Sequence, residues 1–179
     1  MRKFGLIAAA VAAGLSGIAS AQPATPDSSS VTINGKTMAV KYSAASAKGR
    51  KVFGGAVPFN SVWRIGADSP ATFHTDVAVV FKGFTVPKGD YTLYVLPVDA
   101  ANWQLIVNKQ TGPKALTYDA KSDVGRTAMT VTGAPAPIET CRLAVVRTAA
   151  SAAKIEVAWE NIVASATFHP DRGGNNSEW

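Results

Sequence analysis

The chain is poor in the residues that carry covalent and metal chemistry. Among 179 residues there is one cysteine, Cys141, and there are two histidines, His74 and His169. A single cysteine excludes an intrachain disulfide framework, and with only two histidines it also excludes a cysteine-based zinc site. No Gly-x-Ser-x-Gly elbow occurs, and two histidines leave few general bases for a serine nucleophile. Beyond the first twenty or so residues, no stretch of ten or more carries a 3.6-residue apolar stripe, so helices are not expected. Charge is sparse at 17%, against 47% hydrophobic residues. That balance is too apolar for disorder and sufficient for one buried core.

The N-terminus reads as a secretory signal peptide over residues 1–21. Arg2 and Lys3 precede an uncharged stretch from Phe4 to Ile18, and Ala19-Ser20-Ala21 forms a small-x-small site, which places cleavage after Ala21. The apolar run is shorter than the ~20 residues a membrane-spanning helix needs. The mature protein is therefore expected to be periplasmic or secreted, with no transmembrane segment. Cleavage lowers the net charge from +6 to +4. The remaining cations are scattered apart from Lys48, Arg50 and Lys51, without interleaved aromatics, which argues against nucleic acid as a partner.

Where the mature sequence has a period it is two, the alternation of a strand with one wet face. Residues 22–30 read as a flexible Pro/Ser-rich linker, 31–169 as a single domain and 170–179 as a disordered polar tail. Asn34-Gly35 supplies the two positive φ angles of a type I′ turn and predicts a hairpin of 31–33 with 36–43. Further alternating runs are Ala71 to Thr75, Val77 to Phe81, Tyr91 to Leu96, Trp103 to Asn108, Thr127 to Thr132, Thr140 to Val146, Lys154 to Glu160 and Ile162 to Phe168. Eight to ten short antiparallel strands predict an all-β, two-sheet β-sandwich. An outer-membrane barrel needs strands of about 9–11 residues, longer than most of these runs. In Val86-Pro87-Lys88-Gly89-Asp90-Tyr91 the tyrosine is placed for a tyrosine corner, its phenol bonded back to the chain. Cys141 shares its parity with Leu143 and Val145 and is expected in the core.

The most distinctive stretch is Gly49 to Thr72. Glycines, prolines, aromatics and arginines crowd it with little periodicity, as in an ordered loop packed by its own side chains. The motifs Gly49-Arg50-Lys51-x-Phe53-Gly54-Gly55, Val57-Pro58-Phe59 and Val62-Trp63-Arg64-x-Gly66-Ala67 lie in it. Later come Val86-Pro87-x-Gly89-x-Tyr91, Trp103 with Asn108-Lys109, Tyr118-Asp119 with Asp123-Val124, and Trp159-Glu160-Asn161. In this order, over roughly Val31 to Phe168, the chain resembles a bacterial family catalogued as domain of unknown function number twenty-nine eleven. The resemblance implies export and one β-rich domain and adds no chemistry. It departs where the family pattern continues with Asn-Glu and this chain has Asp68-Ser69.

Read physically, Arg50, Asn60, Trp63 and Arg64 are the candidates for ligand binding. A guanidinium fork matches a carboxylate or phosphate, an amide adds a directional bond, and an aromatic offers a face to a sugar or planar group. The competing structural reading ties Arg64 to a backbone carbonyl or to Asp68 and puts Trp63 in the core. His74 and Asp76 lie two apart on one strand face, and with His169 they are candidate metal ligands. Asp68, His74 and Asp76 are the candidate catalytic groups of a hydrolase. Glu160 reads as a wet-face charge, a partner for arginine or an acid/base residue. Asp119-x-Lys121-x-Asp123 reads as a turn, because the lysine stands where a calcium ligand would be. No cofactor is expected. The sequence as a whole favours a non-catalytic binding module for an anionic or carbohydrate-like envelope ligand. The alternatives are an envelope hydrolase, with or without a metal, and a structural domain whose edge strands pair with an envelope protein partner.

Overall fold

The computed structural model describes residues 25–173; the expected signal peptide, its cleavage point and residues 174–179 of the tail lie outside the described residues. Ten strands occupy the described residues: β1 (Thr25–Ile33), β2 (Lys36–Ala44), β3 (Trp63–Arg64), β4 (Thr72–Thr75), β5 (Val79–Phe81), β6 (Phe84–Val86), β7 (Gly89–Pro97), β8 (Trp103–Asn108), β9 (Asp123–Ala149) and β10 (Ala152–Pro170). Two 3-10 turns, Gly112–Leu116 and Ala120–Ser122, lie between β8 and β9. Every strand pairing is antiparallel. Among the described residues no helix is long and apolar enough to cross a membrane.

Asn34 and Gly35 have φ of 51° and 71° and close the β1–β2 hairpin between Ile33 and Lys36. The hairpin extends further than its apolar pattern suggests. Thr25 to Ser30, in the stretch expected as a linker, pair with β2 as far as Ala44. Of the stretch expected as a tail, Pro170 ends β10 opposite Val79, and the Asp171 N–H donates to the Ala78 carbonyl at 2.7 Å.

The strands form one sheet in the order β1-β2-β4-β7-β8-β9-β10-β5-β6, with β3 added to β7. The four alternating runs after Thr127 merge into two long strands. Between them β9 spends the residues from Gly133 to Ile138 where β10 spends only Glu160 to Ile162. A bulge of that size interrupts the period-two pattern and bends the strand pair. The sheet turns over on itself. Phe73 of β4 and Phe168 of β10 would be about 19 Å apart in a flat sheet, four spacings of roughly 4.8 Å, yet their ring centroids are 5.9 Å apart. The chain after β2 completes a hydrogen-bonded circuit with β9. The Ala47 N–H donates to Glu139 O at 2.9 Å, and the Cys141 N–H donates to Ala45 O at 2.8 Å.

Core side chains come from the inward parity of each strand: Met38, Val40, Phe73, Leu93, Val95, Leu105, Val107, Leu143 and Ile155 are all buried. Cys141 lies among them, and burial pushes its thiol up to about 12, the behaviour of a small hydrophobe rather than a nucleophile. On the opposite face of β7 and β8, Tyr94 and Ile106 are buried too, beneath the connection that carries the 3-10 turns. There the Tyr94 hydroxyl donates to Ala115 O at 2.7 Å, and its ring meets Tyr118 edge-on at 5.0 Å. Asp119 caps the second turn by accepting from the Lys121 N–H, and Asp123 accepts from Asn108, Tyr118 and Arg126.

The tyrosine corner is formed: the Tyr91 hydroxyl donates to the Pro87 carbonyl at 2.9 Å. Tyr91→Phe should cost about 1 kcal/mol, the net value of one such bond, without altering the fold. Urea denaturation with an unchanged m-value is the measurement, and no loss would show that the hydroxyl bears nothing.

Candidate functional site

The Gly-rich segment between β2 and β4 is built as a knot on the end of the sheet. Val57 N–H donates to Val52 O at 2.8 Å, Gly54 N–H to Val57 O at 2.9 Å, and Ala56 N–H to Lys51 O at 3.1 Å. A side chain at Gly55 would put its Cβ 2.4 Å from the Lys51 carbonyl oxygen, so only glycine fits this turn. Phe53 is driven inward. Its ring meets Trp103 at 4.6 Å, Trp63 at 5.8 Å and Trp159 at 6.2 Å, all edge-on, while Trp63 and Trp159 stack at 5.8 Å. The Trp159 indole N–H donates to Glu139 O at 3.0 Å.

Glu160 completes the knot in a role that none of its three sequence readings anticipates. It stands in the β9–β10 bulge with φ of 54°, a left-handed conformation that few non-glycine residues adopt. There one carboxylate oxygen, Oε2, accepts from the backbone N–H groups of Val52 and Phe53, each at 3.3 Å. A carboxylate on two adjacent amides ties the loop to β10 and provides acceptors for donors that the turn itself leaves over.

The two residues of β3 then part. Trp63 pairs with Val95 and turns inward to the aromatic cluster, whereas Arg64 pairs with Tyr94 and takes the outer face. Arg64 Nη2 donates to Ala67 O at 3.0 Å. Its other terminal nitrogen, Nη1, is buried and has no hydrogen-bond partner among the described residues. A cleft of about 330 Å³ is lined by Arg64 together with Val57, Pro58, Ser61, Trp63 and Gly66 among others. Gly66, at φ of 102°, is part of its wall, and a Cβ there would meet the carbonyl oxygens of Ser69 at 2.8 Å and Ser43 at 3.2 Å.

The other predicted ligand residues do not join this cleft. Arg50 donates to its local carbonyls, from Nε to Ala47 O at 3.1 Å and from Nη2 to Ser46 O at 3.3 Å, and so serves its own turn. Asn60 is a turn residue with φ of 55°, and its backbone N–H donates to Pro97 O at 2.7 Å. Its side chain is not part of the cleft wall. Of the four candidates, Trp63 and Arg64 meet, and the reading that put Trp63 in the core and Arg64 on a carbonyl describes half of what is found.

The hydrolase and metal groupings do not assemble. His74 and Asp76 are together on the exposed end of β4: His74 Nε2 lies 3.1 Å from Asp76 Oδ1, and Nδ1 lies 2.8 Å from Asp90 Oδ1. Asp68 belongs to the turn held against Ser43, whereas Asp76 is held against Thr37, where its backbone N–H donates to Thr37 O. Those contacts lie at opposite ends of β2, about 20 Å apart at some 3.3 Å per residue. His169 pairs with Val80 on β5, and its Nδ1 donates to Pro170 O at 3.1 Å. Among the described residues no group of three or more His, Cys, Asp or Glu is placed to hold a metal.

Two outcomes are expected. Glu160→Ala leaves the Val52 and Phe53 amides without their acceptor and should cost about 2 kcal/mol, with a red shift in tryptophan emission as Trp63 and Trp159 gain water; unchanged emission would show the loop held by other means. The hydrogen bonds of His74 to Asp90 and then Asp76 raise its pKa above 6.5, and the Thr37 amide followed by His74 lowers that of Asp76. The His74 contribution is therefore complete below its ordinary pKa and disappears as pH rises through the raised one. The Asp76 contribution is present above its ordinary pKa and disappears as pH falls through the lowered one. Accordingly, the melting temperature of wild type should exceed that of His74→Gln at about pH 5.5 and converge with it at about pH 9.

No curated protein and no solved structure matches the chain. The model of one family, described as "Protein of unknown function (DUF2911)", matches residues 24–168, which takes in the knot, the cleft and every strand core described above. The chain belongs to the DUF2911 family.

Proposed function

We propose that the protein is an exported binding module whose Arg64 cleft receives an anionic group of an envelope ligand of carbohydrate-like chemistry. The observation that carries this is Arg64 in the wall of an open cleft, with a terminal nitrogen, Nη1, that is buried just behind that wall and has no hydrogen-bond partner among the described residues. A buried donor without a partner costs roughly 1–3 kcal/mol, which an oxygen of a bound carboxylate would recover through a charge-assisted bond once the guanidinium turns that nitrogen toward the cleft. The guanidinium is held for this by its second nitrogen on Ala67 O and by β3, two residues that add to β7. Export rests on the signal sequence of residues 1–21. The facing rings of Phe73 and Phe168 support reading the folded sheet as the two layers of a sandwich. The hydrolase alternative has no observation in its favour, since Asp68 stands away from His74 and Asp76.

Glucuronate, a sugar carboxylate, is the probe, with glucose as its neutral counterpart, measured by titration calorimetry or ligand-observed NMR. Wild type should bind glucuronate and discriminate against glucose. Arg64→Ala should lose at least about tenfold in affinity, the value of one hydrogen bond to a charged group, and Arg50→Ala should lose nothing. Equal binding by wild type and Arg64→Ala, with both folded, would overturn the proposal.

A further inference from the structure

The Arg64 cleft has neighbours on the same face of the sheet. A groove of about 530 Å³ lies across the turn of residues 66–70, with Lys41, Ser43, Ser69, Pro70, Thr72 and Gly112 among its walls. The turn is a shared partition: Gly66 lines the cleft on one side, Ser69 and Pro70 line the groove on the other, and the Ser43 and Ser69 hydroxyls are 2.7 Å apart. Beyond Gly112 a third cleft, of about 400 Å³, is lined by Lys109, Gln110, Thr111, Lys114 and Ser122. One row of side chains runs beneath them. Lys41 pairs with Thr72, Thr72 with Thr92, and Thr92 with Asn108, so all four share the face that carries Tyr94 and Arg64. That row spans three strand spacings, about 14 Å. The Thr92 hydroxyl fastens the row to the third cleft by donating to Gln110 O at 2.7 Å.

Two features of the path define what it suits. Its cations, Arg64, Lys41, Lys109 and Lys114, are spread over three clefts, and none of them forms an ion pair among the described residues. Carboxylates accompany them: Asp27, in the groove wall, accepts from the Tyr42 hydroxyl, Asp68 belongs to the partition turn, and Asp119 caps the second 3-10 turn, whose Ser122 lines the third cleft. A polyphosphate or nucleic acid, with a charge on every unit, would meet repulsion at each of these; a chain with widely spaced charges would not. Most of the remaining polar groups are hydroxyls, which donate and accept as sugar hydroxyls do, and Gln110 in the wall of the third cleft has an amide oxygen that is buried and without a partner among the described residues, an acceptor for a hydroxyl donor if the side chain turns outward.

We infer that the three clefts form one extended subsite path for an acidic oligosaccharide with a carboxylate on some of its sugars and not on all. This rests on the Arg64 reading and extends it from one sugar carboxylate to a chain. Hyaluronan fragments, with one carboxylate per disaccharide, are the probe. Wild type should bind the decasaccharide roughly tenfold or more tighter than the disaccharide, as added weak contacts on one molecule accumulate. Lys41→Ala and the double variant Lys109→Ala/Lys114→Ala, all at exposed positions, should reduce that advantage to a few-fold while leaving disaccharide binding unchanged. Arg64→Ala should weaken both fragments. An affinity independent of length, or a length advantage untouched by the lysine variants, would overturn the path while Arg64-dependent disaccharide binding left the single-cleft reading standing. Absence of binding by both fragments would overturn both. Binding of a ten-nucleotide oligo(dT) as tightly as the decasaccharide would overturn the assignment to a sugar chain.

Discussion

The outer face depends on one attachment, that of the Gly-rich loop to β10. The Glu160 carboxylate on the amides of Val52 and Phe53 fixes the start of the segment from Lys51 to Arg64, and the aromatic contacts of Phe53 and Trp63, the Asn60 N–H on Pro97 O and the β3–β7 pairing hold the rest of it against the sheet. β3 is only two residues long, too short to persist by its own ladder. Its position is set by what precedes it, and the position of Arg64 is set by β3. The strained φ of Glu160 is consistent with this order of dependence: a left-handed non-glycine residue persists where its surroundings over-determine it, and here both carboxylate and backbone are engaged.

Parity explains why the loop can be scaffold and surface at once. In an extended pair adjacent residues face opposite ways, so Trp-Arg is a device for fixing one side chain in the core and presenting the next. The stacked indoles of Trp63 and Trp159 bury the inner half of the dipeptide, and the guanidinium is offered on the other side with one nitrogen already committed. Arg50, by contrast, lies in a turn with no parity to exploit and curls back onto carbonyls three and four residues away.

What the sequence discloses follows the range of each interaction. The Asn34-Gly35 hairpin, the Tyr91 corner and the inward set of Cys141, Leu143 and Val145 are readable because each is decided within a few residues. The merging of four runs into β9 and β10 is not, because a bulge removes the alternation by which a strand is followed. Residues 25–30 are obscure for a different reason: their serines and proline carry no apolar signal, and they are ordered by pairing with β2 and by the Ser29 hydroxyl on the backbone of Val145 in β9. Of the site, Trp63 and Arg64 stood out by residue type. The function of Glu160 did not, since its partners are amides more than a hundred positions away and no side-chain chemistry at that distance marks them.

The circuit that closes the sheet has a kinetic corollary. Ser46 and Thr140, which face each other where β2's continuation meets β9, are 94 residues apart in sequence. The β9–β10 hairpin is by comparison local, and it supplies a long ladder before any such distance must be bridged. Loop-closure entropy and contact order place the hairpin early and the Ser46–Thr140 closure late. Until that closure, the margin of β9 around Glu139 and Cys141 is an open template for strand addition. The prolines at 135 and 137 stand in the adjoining bulge, where they lack the N–H groups that a foreign strand would need, so a strand added along this margin would lose its ladder on passing Ile138 into the bulge.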